Sequence, residues 1–368
     1  MAALRVLQVV GTLDPGGIEN WLLALAARLD PERVRLTIAC RAPGPFACTP
    51  WLQARGIGVV PVLGRSALVS AWDTLHAVSR GMDAVHAHLG PWSGLAMHAA
   101  ARAGVPVRIT HGHADEERRM RAMGWWRRPY EDLLREHVRT CANRGLAVSR
   151  RAAETLFGVD WEADPRRRLQ PCGIDLTRVA AAAPRAATRA ALGLTSRQVI
   201  AAAGRLDVTK NHSLLVDCLP LLPDNVVVVI AGDGPLCGQL LDRAVRLSVA
   251  DRLFLLGQRD DVPALLAAAD VVAHPSLHEG LGLAIIEAQA AGVPVVISDG
   301  VPAEAVIVPG LVAAQPLASG PSGWSAAILR ALARGPDDAA ASRTAVAVGG
   351  YDVDTVARRM EAVWGGAW

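Results

Sequence analysis

Two carboxylates, Glu279 and Glu287, stand in the stretch VVAHPSLHEGLGLAIIEAQAAGVPVVI at 271–297. An apolar run ends in His274 and Pro275, a Ser/His/Glu/Gly loop follows, and the period becomes helical through Leu283, Ile286, Ala290 and Ala291. Gly292 closes that helix and Pro294 opens another apolar strand, so the unit reads as βαβ in a parallel sheet. The spacing predicts Glu279 just before the helix and Glu287 roughly 12 Å further along one face. Each carboxylate would then meet one end of a nucleotide sugar. The amides of Gly280, Leu281 and Gly282 are expected in the first helical turn, where unpaired N–H groups and the positive dipole end attract a diphosphate. Glycine there lets backbone approach phosphate without an intervening side chain. The plainer alternative is an ordinary helix with one Glu near its start and another on its wet face.

Cationic groups of matching use lie upstream. In RLDVTKNH, Arg205 and Lys210 flank a turn; a guanidinium offers a fork to phosphate oxygens and an ammonium a compact charge, and together they would neutralise a leaving diphosphate. The chain has 38 basic residues, and Lys210 alone among them is lysine. Near the N-terminus, GTLDPGG places Gly16 and Gly17 at a helix start beyond the first strand, a second amide-lined loop facing a ligand. GVPVRITHGH delivers His111 and His113 to the ligand edge of the same sheet, either as hydrogen-bonding or as chemically active groups. Asp352 and Asp354 form a D-x-D that opens a helix and reads as its cap and not as a metal site.

These residues need two domains to hold them. At 368 residues the chain suits two α/β domains of about 150 to 200 residues each. Strands are expected at 4–10, then at roughly 34–40, 57–61, 83–87, 106–110 and 145–148, with helical patterns between them. The Ala-rich residues 180–191 read as a link, and RQVIAAAG, VVVVIAGDGP and LFLLGQRDDV carry strands of a second half. Apolar residues make up 51%, with no uninterrupted stretch of membrane-spanning length, and the N-terminus reads as a buried strand and not a signal peptide, so a cytoplasmic protein is expected. The six cysteines are scattered without metal spacing, and a net charge of +3 is too mild to make nucleic acid the main partner. Residues 117–130, ERRMRAMGWWRRPY, combine Arg stems with indoles and suit an anionic headgroup surface or an acidic carrier protein.

The E-x7-E segment resembles the signature of retaining GT-B glycosyltransferases, in particular glycosyltransferase family 4 of the exopolysaccharide type. G-R-L-x(4)-K-N/H resembles that family's diphosphate loop, and the second half of the chain matches it almost throughout. The resemblance implies two Rossmann-like α/β domains with parallel sheets facing across a cleft, residues 1–176 with a returning C-terminal helix at about 352–368, and residues 177–351. It implies that Glu279 and the amides of Gly280, Leu281 and Gly282 hold sugar and diphosphate, that Glu287 holds the ribose, and that Arg205 and Lys210 hold the diphosphate. By the same likeness Gly234 belongs to a G-x-G-P loop, Arg259 lies where relatives hold the base, and Gly16 and Gly17 approach donor or acceptor. One histidine meets the transferred sugar or acceptor, with His111 fitting better than His113. The implied reaction is metal-independent transfer without a cofactor, on one face of the sugar, from a nucleotide sugar, UDP-N-acetylglucosamine or UDP-glucose. The acceptor would be a lipid-linked glycan or a small-molecule or carrier-bound scaffold, reached at the inner face of a membrane in the first case. A non-transferring enzyme of the same fold, such as a nucleotide-sugar 2-epimerase or a phosphorylase, is the alternative, and a silent sugar-nucleotide binding protein a third.

Overall fold

The computed structural model describes residues 2–14, 16–62, 69–113 and 128–368. It divides into two compact units, Met1–Gly173 joined by Val353–Trp368, and Ile174–Asp352. The division falls a few residues before the expected 176.

The first unit carries seven strands: β1 (Leu4–Val10), β2 (Val34–Cys40), β3 (Gly58–Pro61), β4 (Ala84–Ala87), β5 (Val107–Gly112), β6 (Arg144–Ala147) and β7 (Arg167–Leu169). They form one parallel sheet in the order β3-β2-β1-β4-β5-β6-β7. β7 lies beyond the strands expected from sequence, because three residues ending in a half-buried Leu169 leave no periodic signature. The helix Gly17–Ala26 buries Trp21, Leu22, Leu25 and Ala26, the spacing of one helical face. The C-terminal helix Val353–Trp364 belongs to this unit, buries Val356, Ala357, Met360 and Trp364, and ties in through an Asp354–Arg28 ion pair at 3.4 Å.

The second unit carries β8 (Gln198–Ala203), β9 (Val226–Ala231), β10 (Leu253–Leu255), β11 (Val271–His274), β12 (Val295–Ile297) and β13 (Val312–Ala314), parallel in the order β10-β9-β8-β11-β12-β13. β9 is buried along its whole length, which is why it reads as an unbroken apolar run instead of an alternating one. The expected link at 180–191 ends in a helix of this unit, Arg185–Ala191, where Arg185 and Arg189 both pair with Asp270. Asp270 also accepts from the Val199 amide at 2.7 Å, so the ion pairs fasten the helix to the first strand of the sheet.

The stretch 117–130, singled out for headgroup or carrier contact, lies outside the described residues as far as 127. Among the described residues no helix is long and apolar enough to cross a membrane.

Candidate active site

In the second sheet the strand order reverses between β8 and β11, and open parallel sheets bind ligands beyond the C-terminal strand ends at such a reversal. The two loops leaving these strands are tied together: the Leu277 amide donates to the Thr209 carbonyl at 2.8 Å, and Asn211 Nδ2 to the Pro275 carbonyl at 3.2 Å. Asp207 Oδ1 accepts from the amides of Thr209 and Lys210 at 2.9 and 3.2 Å, setting the turn that aims the lysine. Lys210 Nζ therefore reaches Glu279 Oε1 at 2.5 Å, and the same oxygen accepts from His274 Nε2 and Ser276 Oγ, each at 2.7 Å. Burial opposes ionisation of Glu279, but Lys210 and His274 outweigh it and hold the carboxyl far below the usual range. Beside them, burial drives His212 down to about 3, with His274 and Lys210 adding to the effect.

Two glycines are fixed by close approach. Gly204 has φ +144°, and a Cβ there would stand 3.0 Å from Lys210 Cε, so the lysine stem lies across the bare glycine. A Cβ on Gly234 would stand 2.5 Å from the Leu206 carbonyl oxygen, so the packing of two loops already requires the glycine expected to touch substrate.

The glycine loop departs from expectation. Its helix is Leu283–Ala290, with Gly282 as N-cap at φ +83°, a left-handed conformation natural to glycine. The amides of Gly280 and Leu281 thus precede the helix, and the first-turn amides begin at Leu283. Glu279 lies in the loop and not on a helical face, so the separation of Glu279 and Glu287 is not a simple helical rise. Glu287 is half-buried on the helix; burial pushes its carboxyl up to about 7, Arg178 opposes that and Asp175 reinforces it. Arg205 remains 71% exposed and stands 3.9 Å from Asp207, free enough to swing to a ligand. Arg259 is forked onto Asp261 at 2.7 Å through both Nε and Nη2, so its guanidinium is already engaged.

In the first unit the order reverses between β1 and β4, and a set of imidazoles gathers at the ends of β4 and β5. His111 is fully buried, its Nε2–H donating to the Gln170 carbonyl at 2.9 Å, because it still lies inside β5 opposite Leu146. His113, just past the strand, is half-buried and borders a cavity of about 70 Å³ with Ile18, Gly90, Pro91 and Leu156. Of the two histidines, His111 is sealed within the sheet and His113 has the access to a cavity. His88 joins His113 Nε2 through Nδ1 and Gln8 Oε1 through Nε2, both at 2.8 Å. Residues Gln8, His86, His88, His274 and Ser276 were not singled out from sequence. The signal for two of them was the repeat H-x-H, 86/88 and 111/113, at the ends of neighbouring strands.

Gly16 and Gly17 do open a helix, but the site is partly filled. A Cβ on Gly16 would stand 2.4 Å from Glu19 Oε2, so the carboxylate folds back over the helix start. Burial raises the Glu19 pKa, its own amide opposes this, and Asp14 adds to it. A phosphate approaching these amides would meet a carboxylate first.

Ring nitrogens of His86, His88 and His111 lie within 4.8 Å of one another, which raises the question of a metal. His86 Nδ1 accepts from Trp364 Nε1 at 3.3 Å, so its Nε2 carries hydrogen; both His88 nitrogens are committed; only His111 Nδ1 offers a lone pair. In this pattern His86 Nε2 and His111 Nδ1 have no hydrogen-bond partner among the described residues. A cavity of about 380 Å³ in the second unit is lined by Val208, Leu236, Leu240, Arg243 and Leu277 and includes neither Glu279 nor Glu287.

Known proteins share this architecture and this sequence. Residues 197–334 match the family model of glycosyl transferases group 1, and residues 15–178 that of Glycosyltransferase Family 4. EpsF of Bacillus subtilis is 30% identical over 358 residues, covering 95% of this chain and 93% of its own. An Escherichia coli UDP-Gal:alpha-D-GlcNAc-diphosphoundecaprenol alpha-1,3-galactosyltransferase is 29% identical over 302 residues, 77% of this chain and 76% of its own. Among solved structures, Anabaena HepE bound to UDP superposes with a TM-score of 0.80 at 20% identity, over 97% of this chain and 98% of that one. The chain belongs to glycosyltransferase family 4 and is a glycosyltransferase of GT-B fold.

Proposed function

We propose that this glycosyltransferase moves a hexose or N-acetylhexosamine from UDP-glucose or UDP-N-acetylglucosamine to a hydroxyl or amine acceptor, with retention and without a metal. The observation that carries the reading is the convergence of Lys210 and Glu279 at the β8/β11 reversal, a cation and an anion on loops fixed to each other. Transfer breaks the bond between the anomeric carbon and the diphosphate, and negative charge grows on the departing oxygen. Lys210, Arg205 and the amides ahead of the helix Leu283–Ala290 would offset that charge, an effect strongest in the transition state. Glu279, anionic and rigidly held, is suited to accept from sugar hydroxyls, and Glu287 from the ribose diol. The leaving phosphate helps deprotonate the acceptor on the same face, which gives retention without a protein nucleophile. On the first unit His113 meets the sugar or acceptor.

UDP as the nucleotide of the donor is supported by HepE, solved with UDP and with UDP-glucose. A lipid-linked glycan as acceptor is supported by the diphosphoundecaprenol substrate in the name of the Escherichia coli relative. With such an acceptor, residues 117–130 would serve the headgroup surface. The test is nucleotide release from a panel of UDP-, GDP- and ADP-sugars, each with lipid-linked and soluble acceptor pools. Acceptor-dependent UDP release with an α-linked product supports the reading. Acceptor-independent conversion to a 2-epimer, or release from a different nucleotide alone, overturns it.

A further inference from the structure

His113 is the end of a chain of hydrogen bonds whose direction can be worked out atom by atom. At the far end Gln8 Oε1 accepts, so His88 Nε2 carries the hydrogen of their 2.8 Å bond. A neutral His88 then has its lone pair on Nδ1, and the 2.8 Å bond to His113 Nε2 must be donated by His113. That leaves the His113 lone pair on Nδ1, where the Cys172 thiol lies 3.5 Å away as a weak donor. The order is Cys172 S–H to His113, His113 to His88, His88 to Gln8, and each bond fixes the tautomer of the next. Gln8 is fully buried within β1, and its Nε2 has no partner among the described residues, where the side-chain amide is held by this one bond to the histidine chain.

We propose that Gln8 and His88 are positioning residues that hold His113 as a neutral imidazole protonated on Nε2, with the Nδ1 lone pair kept for a hydroxyl of the sugar or acceptor. This rests on the reading that His113 meets the substrate. A substrate hydroxyl takes over Nδ1 by displacing the thiol, the weakest member of the chain. Among the described residues, the titratable groups facing His113 and His88 are the imidazoles of His86 and His111 and the Cys172 thiol, ring centroids of His113 and His111 being 4.1 Å apart and those of His86 and His88 4.2 Å. Each of these adds repulsion to a second proton and, among the described residues, none supplies a stabilising anion; burial acts the same way, so the His113 and His88 pKa values lie well below the ordinary histidine range. An amide at the end of the chain preserves this; a carboxylate would not. The geometry therefore assigns Gln8 a chemical reason to be Gln and not Glu.

The experiment is Gln8→Glu, with Gln8→Met as the second variant. In wild type, with nucleotide sugar saturating at every pH so that the Glu287 ionisation does not enter, the acceptor kcat/KM should show no histidine ionisation between pH 5.5 and 8. In Gln8→Glu the new carboxylate stabilises a second proton on the chain, and acceptor kcat/KM should fall about tenfold per pH unit on the acid side of a new ionisation in that window. Wild-type activity should return toward pH 8. ¹⁵N-histidine spectra of the full chain should show His113 with one bare nitrogen in wild type at pH 6, both nitrogens protonated in Gln8→Glu, and mixed tautomers in Gln8→Met. An unchanged tautomer in either variant overturns the inference, as does a pH profile identical to wild type in Gln8→Glu. His113→Asn separates this from the reading beneath it: full turnover there removes His113 from the substrate, even where the tautomer shifts stand.

Discussion

Nucleotide-sugar affinity should climb with pH through neutrality, and Glu287 is the group that makes it climb. Its carboxyl is pushed up to about 7, chiefly by burial, with Asp175 adding and Arg178 opposing. A ribose diol donates both hydrogen bonds, so it needs the ionised carboxylate. With a pKa of about 7, roughly one tenth of the protein is competent at pH 6 and nine tenths at pH 8. Affinity should therefore rise about tenfold over that interval, about 1.4 kcal/mol. The sign is opposite for the empty protein: a carboxyl whose folded pKa exceeds its unfolded one loses stability as pH rises from about 4.5 to 7. Glu287→Gln should accordingly be more stable than wild type at pH 8 and bind with weak, pH-independent affinity. Titration calorimetry with intact UDP-glucose is the assay, because free UDP takes up a phosphate proton in this range. Binding at pH 6 should release a proton, seen as a dependence of the enthalpy on buffer. Asp175→Asn should move the midpoint to lower pH. A flat wild-type affinity between pH 6 and 8, or the same slope in Glu287→Gln, would refute the assignment.

Lys210→Ala and Arg205→Ala should each cut kcat, by about 2 to 4 kcal/mol of transition-state stabilisation for a lost phosphate contact, with nucleoside diphosphate affinity measured in parallel; near-wild-type turnover in both removes them from the chemistry. Glu279→Ala should harm turnover more than nucleotide binding and cost about 1 to 3 kcal/mol at pH 7, since it takes the shared acceptor from the half-buried Lys210 ammonium and from the buried His274 and Ser276 donors. Because the Glu279 pKa is depressed, that stability is present above about pH 4.5 and lost as pH falls, so a urea-melt difference from wild type that does not shrink in acid counts against the ion pair. Trp364, fully buried and bonded to His86, should cost about 3 to 5 kcal/mol when changed to Ala, and an unaltered denaturation midpoint would show that the last helix is dispensable. Replacing Arg118, Arg119, Arg121, Arg127 and Arg128 with Gln should raise acceptor KM and leave acceptor-free donor hydrolysis unchanged, and an unchanged acceptor KM would end the idea of a docking stretch.

Strands were legible where burial wrote a pattern. β9 and β11 are continuous apolar runs, and β2 was expected at its observed bounds, 34–40. β7 and β13, three residues each, were not legible, because pairing with a neighbour and not their own periodicity makes them strands. The helix after Glu279 was placed too early because its sequence is apolar from Leu281 onward, whereas the positive φ of Gly282 delays the first turn. His274 was visible as the end of a strand and Ser276 as a loop residue, but their convergence on one oxygen depends on how Glu279 turns, which sequence spacing does not encode. Gln8 was hidden for a different reason: a polar residue in the middle of an apolar strand shows its partner only when β4 is laid beside β1.

The solitary lysine makes sense only at this level of detail. A guanidinium is planar and wants two acceptors in line with its fork, whereas an ammonium satisfies itself on single oxygens in any direction. At position 210 the available acceptor is a single oxygen, Glu279 Oε1, already shared with His274 and Ser276. The stem reaches it by lying across Gly204, with Cε 3.0 Å from where a Cβ would be, which leaves little room for a wider head. In a chain whose other basic positions are all Arg, the contact that retains Lys is thus the one where a compact charge must serve a crowded oxygen. On the function proposed above, the same compactness would let the ammonium keep Glu279 while turning a second N–H to the diphosphate, so that one residue would link the group proposed to orient the sugar to the group that leaves it.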